Sequence, residues 1–315
     1  MGELIIITNP HARQNSKDPE RFERFQRMVG DQGTVYQTQQ LDQLEQTCRQ
    51  LLTKEIDLIA ICGGDGTNHL VTTALIRTFQ EAARPLPPLT YLKGGSMNTI
   101  AWGLNIRCPA EKVLTHLLQV RQAGRPLATQ RQGTLHINDA YGYFFGNGYA
   151  VNFLEEYYNA NSTSGPRRAA EITYKAIGAV LSRNEMHQRL ARKFEAEILA
   201  DGKPLGFPAY GMIMAGFIEY IGIGFKPLYR AHEREGHFHL VATGFNPGRI
   251  LAQIHRFYTG KPLIGPHHFD DLVQDLQIRG AAPIGYTIDG ELYRNETTIH
   301  LRPGPTLDVV VDSPQ

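Results

Sequence analysis

Up to about residue 128 the chain alternates short apolar runs with stretches whose apolar residues recur every three or four positions, the pattern of βα units around a parallel sheet. Leu4 to Thr8 reads as a strand and Asp18 to Val29 as a helix. Gly33 to Gln37 is a second strand with Thr38 in the turn after it, and Leu41 to Leu52 is a helix with Leu41, Leu44, Cys48, Leu51 and Leu52 on one face. Ile56 to Cys62 is the clearest buried strand, followed by a helix from Asn68 to Phe79 with Leu70, Val71, Ala74 and Leu75 on one stripe. Leu89 to Leu92 is a further strand, and helix resumes near Asn98 and from Glu111 to Val120. After Gly124 the texture changes. Glycine and aromatics become frequent, and apolar residues alternate with polar ones, as in Phe194 to Ile198 and Phe238 to Ala242, which reads as a mostly antiparallel β domain. Asp201-Gly202 and Asp289-Gly290 stand where hairpins turn, and one helix, Arg167 to Arg183, interrupts the strands.

Composition narrows this picture. The 315 residues are 42% hydrophobic and 20% charged, enough for two domains and too apolar for disorder. With 32 Lys+Arg against 31 Asp+Glu the formal charge is +1, so no global field draws the chain onto nucleic acid or an anionic membrane, and any basic surface is local. Cys48, Cys62 and Cys108 form neither a disulfide framework nor a zinc spacing, which fits a reducing cytoplasm. The run at Leu4 to Thr8 is too short for a signal peptide. The most apolar stretch, Ala209 to Phe225, is broken by Glu219 and by glycines and falls short of a membrane span.

The chemistry concentrates where the Ile59 to Cys62 strand runs through Gly63-Gly64-Asp65-Gly66-Thr67 straight into a helix. Such a turn brings backbone N–H groups and the positive helix end close to a phosphate. It is neither a Walker A loop nor a dinucleotide fingerprint, since no Gly-Lys-Ser/Thr follows and His69 stands where a third glycine would be. A carboxylate in a phosphate cradle repels the ligand. Asp65 therefore either faces a metal or accepts a proton from an attacking hydroxyl, or else it caps the helix. A second strand–glycine–helix unit follows at Leu92-Lys93-Gly94-Gly95-Ser96-Met97-Asn98. In a parallel sheet these two loops and Thr8-Asn9-Pro10 share the carboxyl edge of the strands. Lys93 could neutralise phosphate charge and Ser96 and Asn98 could donate hydrogen bonds, or Ser96 could simply cap the helix.

Asn9-Pro10, the Gly-Gly-Asp-Gly-Thr at 63 to 67 and Gly95-Ser96-Met97-Asn98, in this order and spacing, resemble the diacylglycerol kinase catalytic-domain family, which includes sphingosine and ceramide kinases. Gly146 to Asn152 resembles that family's first strand of the second domain. Arg167-Arg168 resembles a segment whose arginine contacts phosphates, and Glu235-Gly236 and Asp289-Gly290-Glu291 complete the series. The resemblance implies a Rossmann-like three-layer α/β domain over residues 1–128, to which residues from about 300 to 315 return, and a C-terminal antiparallel β-sandwich domain over 129–299. It implies ATP, with Mg2+ neutralising the transferred phosphoryl group, and a membrane-lipid acceptor met at the inner face of the membrane by a cytoplasmic, peripheral protein. Asn9, Thr38, Gly63, Gly64, Gly66, Thr67, Gly95, Ser96, Asn98 and Arg167 would hold nucleotide. The base would be Asp65, as in sphingosine-kinase-like members, or Glu291, as in the bacterial branch. Diacylglycerol, ceramide and sphingoid bases are the candidate acceptors. NAD kinases share Gly-Gly-Asp-Gly-Thr and offer a second activity, and a catalytically silent nucleotide or lipid binder of the same fold is a third reading.

The sequence departs from that family at Asn68-His69-Leu70, where a hydrophobic residue and Asn-Glu are usual, and at Thr99, where many members carry an aspartate linked to magnesium. The residues that would hold a metal are therefore unknown. Three further features read as ordinary surface. Asp289-Gly290-Glu291 is a hairpin turn, His232, His237 and His239 are surface histidines without a carboxylate partner, and His187 to Phe194, basic with apolar residues interleaved, is a solvated helix end that could alternatively meet anionic headgroups.

Overall fold

A computed structural model describes residues 2–159, 166–182, 184–221 and 224–312. The chain forms two compact units, Met1–Gln132 with Pro305–Gln315 and Gly133–Gly304.

The first unit runs β1 (Glu3–Thr8), α1 (Arg13–Ser16), α2 (Arg21–Val29), β2 (Gly33–Gln37), α3 (Leu41–Leu51), β3 (Ile56–Gly63), α4 (Asp65–Glu81), β4 (Leu89–Lys93), α5 (Thr99–Gly103), α6 (Ala110–Gln122) and β5 (Thr129–Gln132). Its sheet has the order β2-β1-β3-β4, then the C-terminal strand Leu307–Val310, then β5. All neighbours are parallel except the last pair. Leu4 to Ile7 and Leu58 to Cys62 are fully buried. Successive strand residues point to opposite faces, so the sheet is covered on both, as the expected three-layer architecture requires. The registers Thr8↔Cys62 and Gly63↔Lys93 bring the carboxyl ends of β1, β3 and β4 level at one edge. Chain order reverses between β1 and β3, which makes their carboxyl ends the switch point of the sheet.

The second unit comprises β6 (Leu135–Ile137), β7 (Ala140–Gly142), β8 (Phe144–Gly148), α7 (Tyr149–Asn159), α8 (Pro166–Ser182), α9 (Glu185–Leu190), β9 (Glu197–Ala200), β10 (Lys203–Pro204), β11 (Met212–Gly216), β12 (Phe238–Thr243), α10 (Pro247–Ala252), α11 (Ile254–Thr259), β13 (His268–Val273), β14 (Leu276–Ile288) and β15 (Glu291–Pro303). These strands make one antiparallel sheet, β13-β12-β11-β8-β14-β15-β6-β7, with β9 on β14 and β10 on β9. Residues from its far ends, Val273 of β13 and Leu135 of β6, share one core with Phe145, Ile213 and Leu240. The sheet thus folds over itself as the expected sandwich. Met212, Met214 and Val241 point the other way, into a second core with Phe257 and Leu263.

Three expectations change here. Gly146 to Asn152 is strand only to Gly148. That residue's φ of +66° turns the chain out of the sheet, and Tyr149 N–H bonds to the Gly211 carbonyl at 2.8 Å as α7 begins. Where one helix was read among the strands, the described residues hold five, α7 to α11; α8 covers most of Arg167 to Arg183, and Arg183 lies outside the described residues. His237 and His239 are buried, not surface groups; His239 is so because β12 is packed on both faces. His239 also has the carboxylate partner that the sequence did not reveal, Asp270 Oδ1 at 2.9 Å from Nε2.

Candidate active site

Two glycine pairs meet at the level carboxyl ends of β3 and β4. A Cβ on Gly95 would stand 2.2 Å from the Cα of Gly64, one on Gly94 3.0 Å from the Cα of Gly63, and one on Gly63 2.3 Å from the Cβ of Thr67. The two turns are therefore pressed backbone to backbone, joined by Gly94 N–H to the Gly63 carbonyl at 3.0 Å, and only glycine permits it. Gly64 is the N-cap of α4 and gives no side chain to the helix end. The first-turn N–H groups of Asp65, Gly66 and Thr67 thus have no carbonyl of their own helix to reach. This is a donor cradle at a positive helix end.

Around it stand the other candidates. Asn9 Nδ2 donates to Thr67 Oγ1 at 3.1 Å, fastening the turn after β1 to α4 across the switch point. Thr38 is buried at the end of β2, its N–H on the Thr8 carbonyl at 2.9 Å. Asn98, buried and left-handed at φ 53°, closes the second turn on itself, with Gly95 N–H to Oδ1 at 2.9 Å and Nδ2 to the Gly95 carbonyl at 3.1 Å. Ser96 is half-buried in that turn. Lys93, considered as a phosphate neutraliser, is turned elsewhere. Its Nζ bonds to the Arg107 carbonyl and lies 4.8 Å over the Trp102 ring, while burial lowers its pKa.

Asp65 is the only carboxylate among these residues. It caps a helix, but not its own: Oδ1 accepts from Ile100 N–H of α5 at 3.1 Å. Burial pushes its carboxyl above the usual range, against the lowering pull of hydrogen bonds from the Asn98–Thr99–Ile100 turn. In the altered segment after it, Asn68 and His69 are buried and Leu70 faces solvent. Among the described residues no group of three or more His, Cys, Asp or Glu could hold a metal ion. With Asp65 engaged by the α5 turn, a Mg2+ at these turns would rely mainly on nucleotide phosphates and water, a ligand set that Mg2+ accepts.

Sequence reasoning missed the support beneath the cradle. Asn15 Nδ2 donates to Thr8 Oγ1, the Asn9 carbonyl and the Cys62 carbonyl at 2.8–3.2 Å, tying β1 to β3. Arg21 in turn holds Asn15 Oδ1 at 2.9 Å and pairs with Glu111. These partners are far apart in sequence and follow no period, so no pattern announces them.

In the second unit Asp289 and Gly290, at φ 51° and 96°, make the hairpin turn between β14 and β15 that the sequence predicts. Asp289 is buried and accepts from the N–H groups of Tyr143 and Phe144 at 2.9–3.1 Å, whereas Glu291 is exposed. Arg167 lies in α8, its side chain outside the described residues.

Residues 3–127 match the family described as "Diacylglycerol kinase catalytic domain", the family that the motifs resemble. Among solved structures, one described as "a putative diacylglycerol kinase" from Bacillus anthracis strain Sterne is 16% identical with a TM-score of 0.70, covering 98% of this chain and 97% of that one. A second from the same strain, described as a diacylglycerol kinase, is 17% identical at a TM-score of 0.63 with the same coverage. At such identity these establish the fold. No curated protein matches the chain.

Proposed function

We propose that this chain, whose residues 3–127 are of the diacylglycerol kinase catalytic-domain family, is an ATP-dependent lipid kinase that transfers the γ-phosphate to a hydroxyl of diacylglycerol, ceramide or a sphingoid base. The observation that carries the reading is the pair of glycine turns held backbone to backbone at the carboxyl ends of β3 and β4, with a carboxylate of raised pKa beside a bare helix end. ATP phosphates would lie on the Gly63–Thr67 and Gly95–Asn98 turns, with Asn9 and Thr38 at the flank and Arg167 as a further phosphate contact. The lipid hydroxyl oxygen attacks the γ-phosphorus as the bond to the β-phosphate oxygen breaks. Its proton passes to a carboxylate and ADP leaves. Phosphoryl transfer asks mainly for positioning and charge stabilisation, so the rigid cradle supplies most of what is needed. Of the two candidate bases, burial favours Asp65 over the exposed Glu291, because a base works best when its pKa rises toward the working pH. Mg2+ would neutralise charge on the transferred group.

A lipid acceptor places the protein at the cytoplasmic membrane surface as a peripheral enzyme. Among the described residues no helix is long and apolar enough to cross a membrane, which suits attachment from the side. The test is transfer of labelled phosphate from Mg-ATP to diacylglycerol, ceramide, sphingosine and NAD, with wild type, Asp65→Asn and Glu291→Gln in parallel. Label on a lipid, lost in one variant, supports the reading and names the base. Label on NAD alone favours the dinucleotide kinase, and ATP binding without transfer to any acceptor favours a silent binder.

A further inference from the structure

The surface of α10 and α11 differs in charge from the rest of the second unit. Elsewhere several arginines are neutralised: Arg189, Arg192, Arg230, Arg279 and Arg294 each have a carboxylate oxygen within 3.7 Å. Between Glu235 and Asp270, by contrast, the sequence contains no Asp or Glu. Among the described residues Arg249, Arg256 and Lys261 have no ion-pair partner. Backbone carbonyls orient two of these heads without neutralising them, with Arg256 Nε on Pro262 O at 2.5 Å and Arg249 Nη2 on Ile264 O at 3.2 Å.

Two large apolar side chains lie among these cations, Tyr258 at 55% and Ile264 at 60% exposure. Ile264 is not loose. Its N–H donates to Gln253 Oε1 at 2.8 Å and its carbonyl accepts from Gln253 Nε2 at 3.2 Å, so a fixed backbone presents an apolar side chain to water. Gly260, left-handed at φ 62°, ends α11 and starts the turn that carries Lys261 and Ile264. Glu219, six residues before Tyr258's neighbour Phe225, faces Lys226 at 3.7 Å.

Uncompensated cations interleaved with a tyrosine and an isoleucine match the chemistry of an anionic bilayer surface, with guanidinium and ammonium groups for headgroup phosphates, a ring for the interface and an aliphatic side chain for the acyl boundary. We propose that α10, α11 and the turn from Gly260 to Ile264 are the surface by which this protein docks on a membrane of anionic phospholipid. The proposal deepens the lipid-kinase reading and rests on it, since that reading requires the acceptor to be met at a bilayer. The basic segment His187 to Phe194 is the weaker candidate for the same role, because Arg189 and Arg192 are paired with Glu156 and Glu155.

The test is sedimentation with vesicles of equal parts phosphatidylcholine and phosphatidylglycerol, and of phosphatidylcholine alone, without ATP or any acceptor lipid. Wild type binds the anionic vesicles, and binding falls as salt rises. Lys261→Glu changes two units of charge and weakens binding about 25-fold, at roughly fivefold per charge. Ile264→Ser weakens it about tenfold, and Arg192→Gln leaves it unchanged. Both altered side chains are exposed, and thermal unfolding checks that each variant is folded. Equal binding by wild type, Lys261→Glu and Ile264→Ser, or no preference of wild type for anionic vesicles, overturns the proposal. Binding to an acidic protein but not to vesicles overturns it as well. Vesicle binding without phosphate transfer would instead overturn the kinase reading and leave docking standing, and transfer to lipid in neutral detergent micelles without vesicle binding would do the reverse.

Discussion

Gly95→Ala tests whether the contact between the two glycine turns is what builds the cradle. The new Cβ would stand 2.2 Å from Gly64 Cα and 3.0 Å from its nitrogen. Both atoms are backbone, so no rotamer relieves the clash. To reach 3.4 Å, where ordinary contact begins, the turns must part by about 1.2 Å (3.4 − 2.2). Overpacking of this kind costs about 1–3 kcal/mol, a fall in Tm of roughly 4–12 °C for a unit of this size. The same movement carries the end of α4 away from the Ser96 turn, and a displacement near 1 Å in a positioning element lowers turnover about a hundredfold. Thermal unfolding, ATP titration and kcat are measured together. Gly178→Ala is the control. It lies in α8 with nothing within 4 Å of the added methyl and should stabilise by up to about 1 kcal/mol through helix propensity. If Gly95→Ala unfolds at the wild-type temperature and binds ATP as wild type does, the close approach is incidental and the reasoning is wrong.

Asp65→Asn keeps an oxygen for Ile100 N–H and removes the charge. Because the folded pKa lies above the unfolded value of 3.8, the wild type loses stability as pH rises through that interval. The variant should therefore match or exceed the wild-type Tm at neutral pH, with the gap closing as pH falls toward 3.8, while kcat drops on the order of 10²- to 10⁴-fold; undiminished turnover would leave Asp65 as a cap only. Asp289→Asn turns one of two acceptor oxygens into a donor facing the N–H groups of Tyr143 and Phe144, and denaturant unfolding should show a loss of about 1.5–3 kcal/mol. Burial pushes the Cys48 thiol up to about 12 and that of Cys62 to about 11, whereas Cys108 is half-buried. Iodoacetamide should therefore label Cys108 first in the folded chain and the other two only on unfolding, and mass spectrometry showing equal rates would contradict that assignment.

The first unit was legible because its strands are covered on both faces, which leaves unbroken apolar runs such as Leu4 to Ile7. The glycine turns were legible because each follows such a run directly. The start of α4 was read three residues late, since Asp65, Gly66 and Thr67 are poor helix formers that adopt helix only because Gly64 turns the chain there. The short helices of the second unit escaped for a related reason. Segments of six residues such as α10 and α11 owe their stability to packing rather than to a period in sequence. The histidine reading failed because β12 alternates in sequence while being buried on both faces, so His239 looked like a surface position and its partner Asp270 belonged to the next strand over.

Asp65 shows why a site can be found from sequence while its mechanism stays open. Capping a helix and accepting a proton were competing roles for that carboxylate when only the chain was in view, because a cap was expected on its own helix. The structure gives the cap to α5 instead. That contact ties the carboxylate to the α5 turn, and burial raises its pKa even though hydrogen bonds from the α5 turn oppose the shift. Burial thus supplies the property a base needs while the cap to α5 works against it, so the two roles share one placement. On this argument Asp65→Asn separates them and Asp65→Ala does not, since alanine loses the acceptor for Ile100 along with the charge and would be expected to cost about 1 kcal/mol of stability in addition to activity.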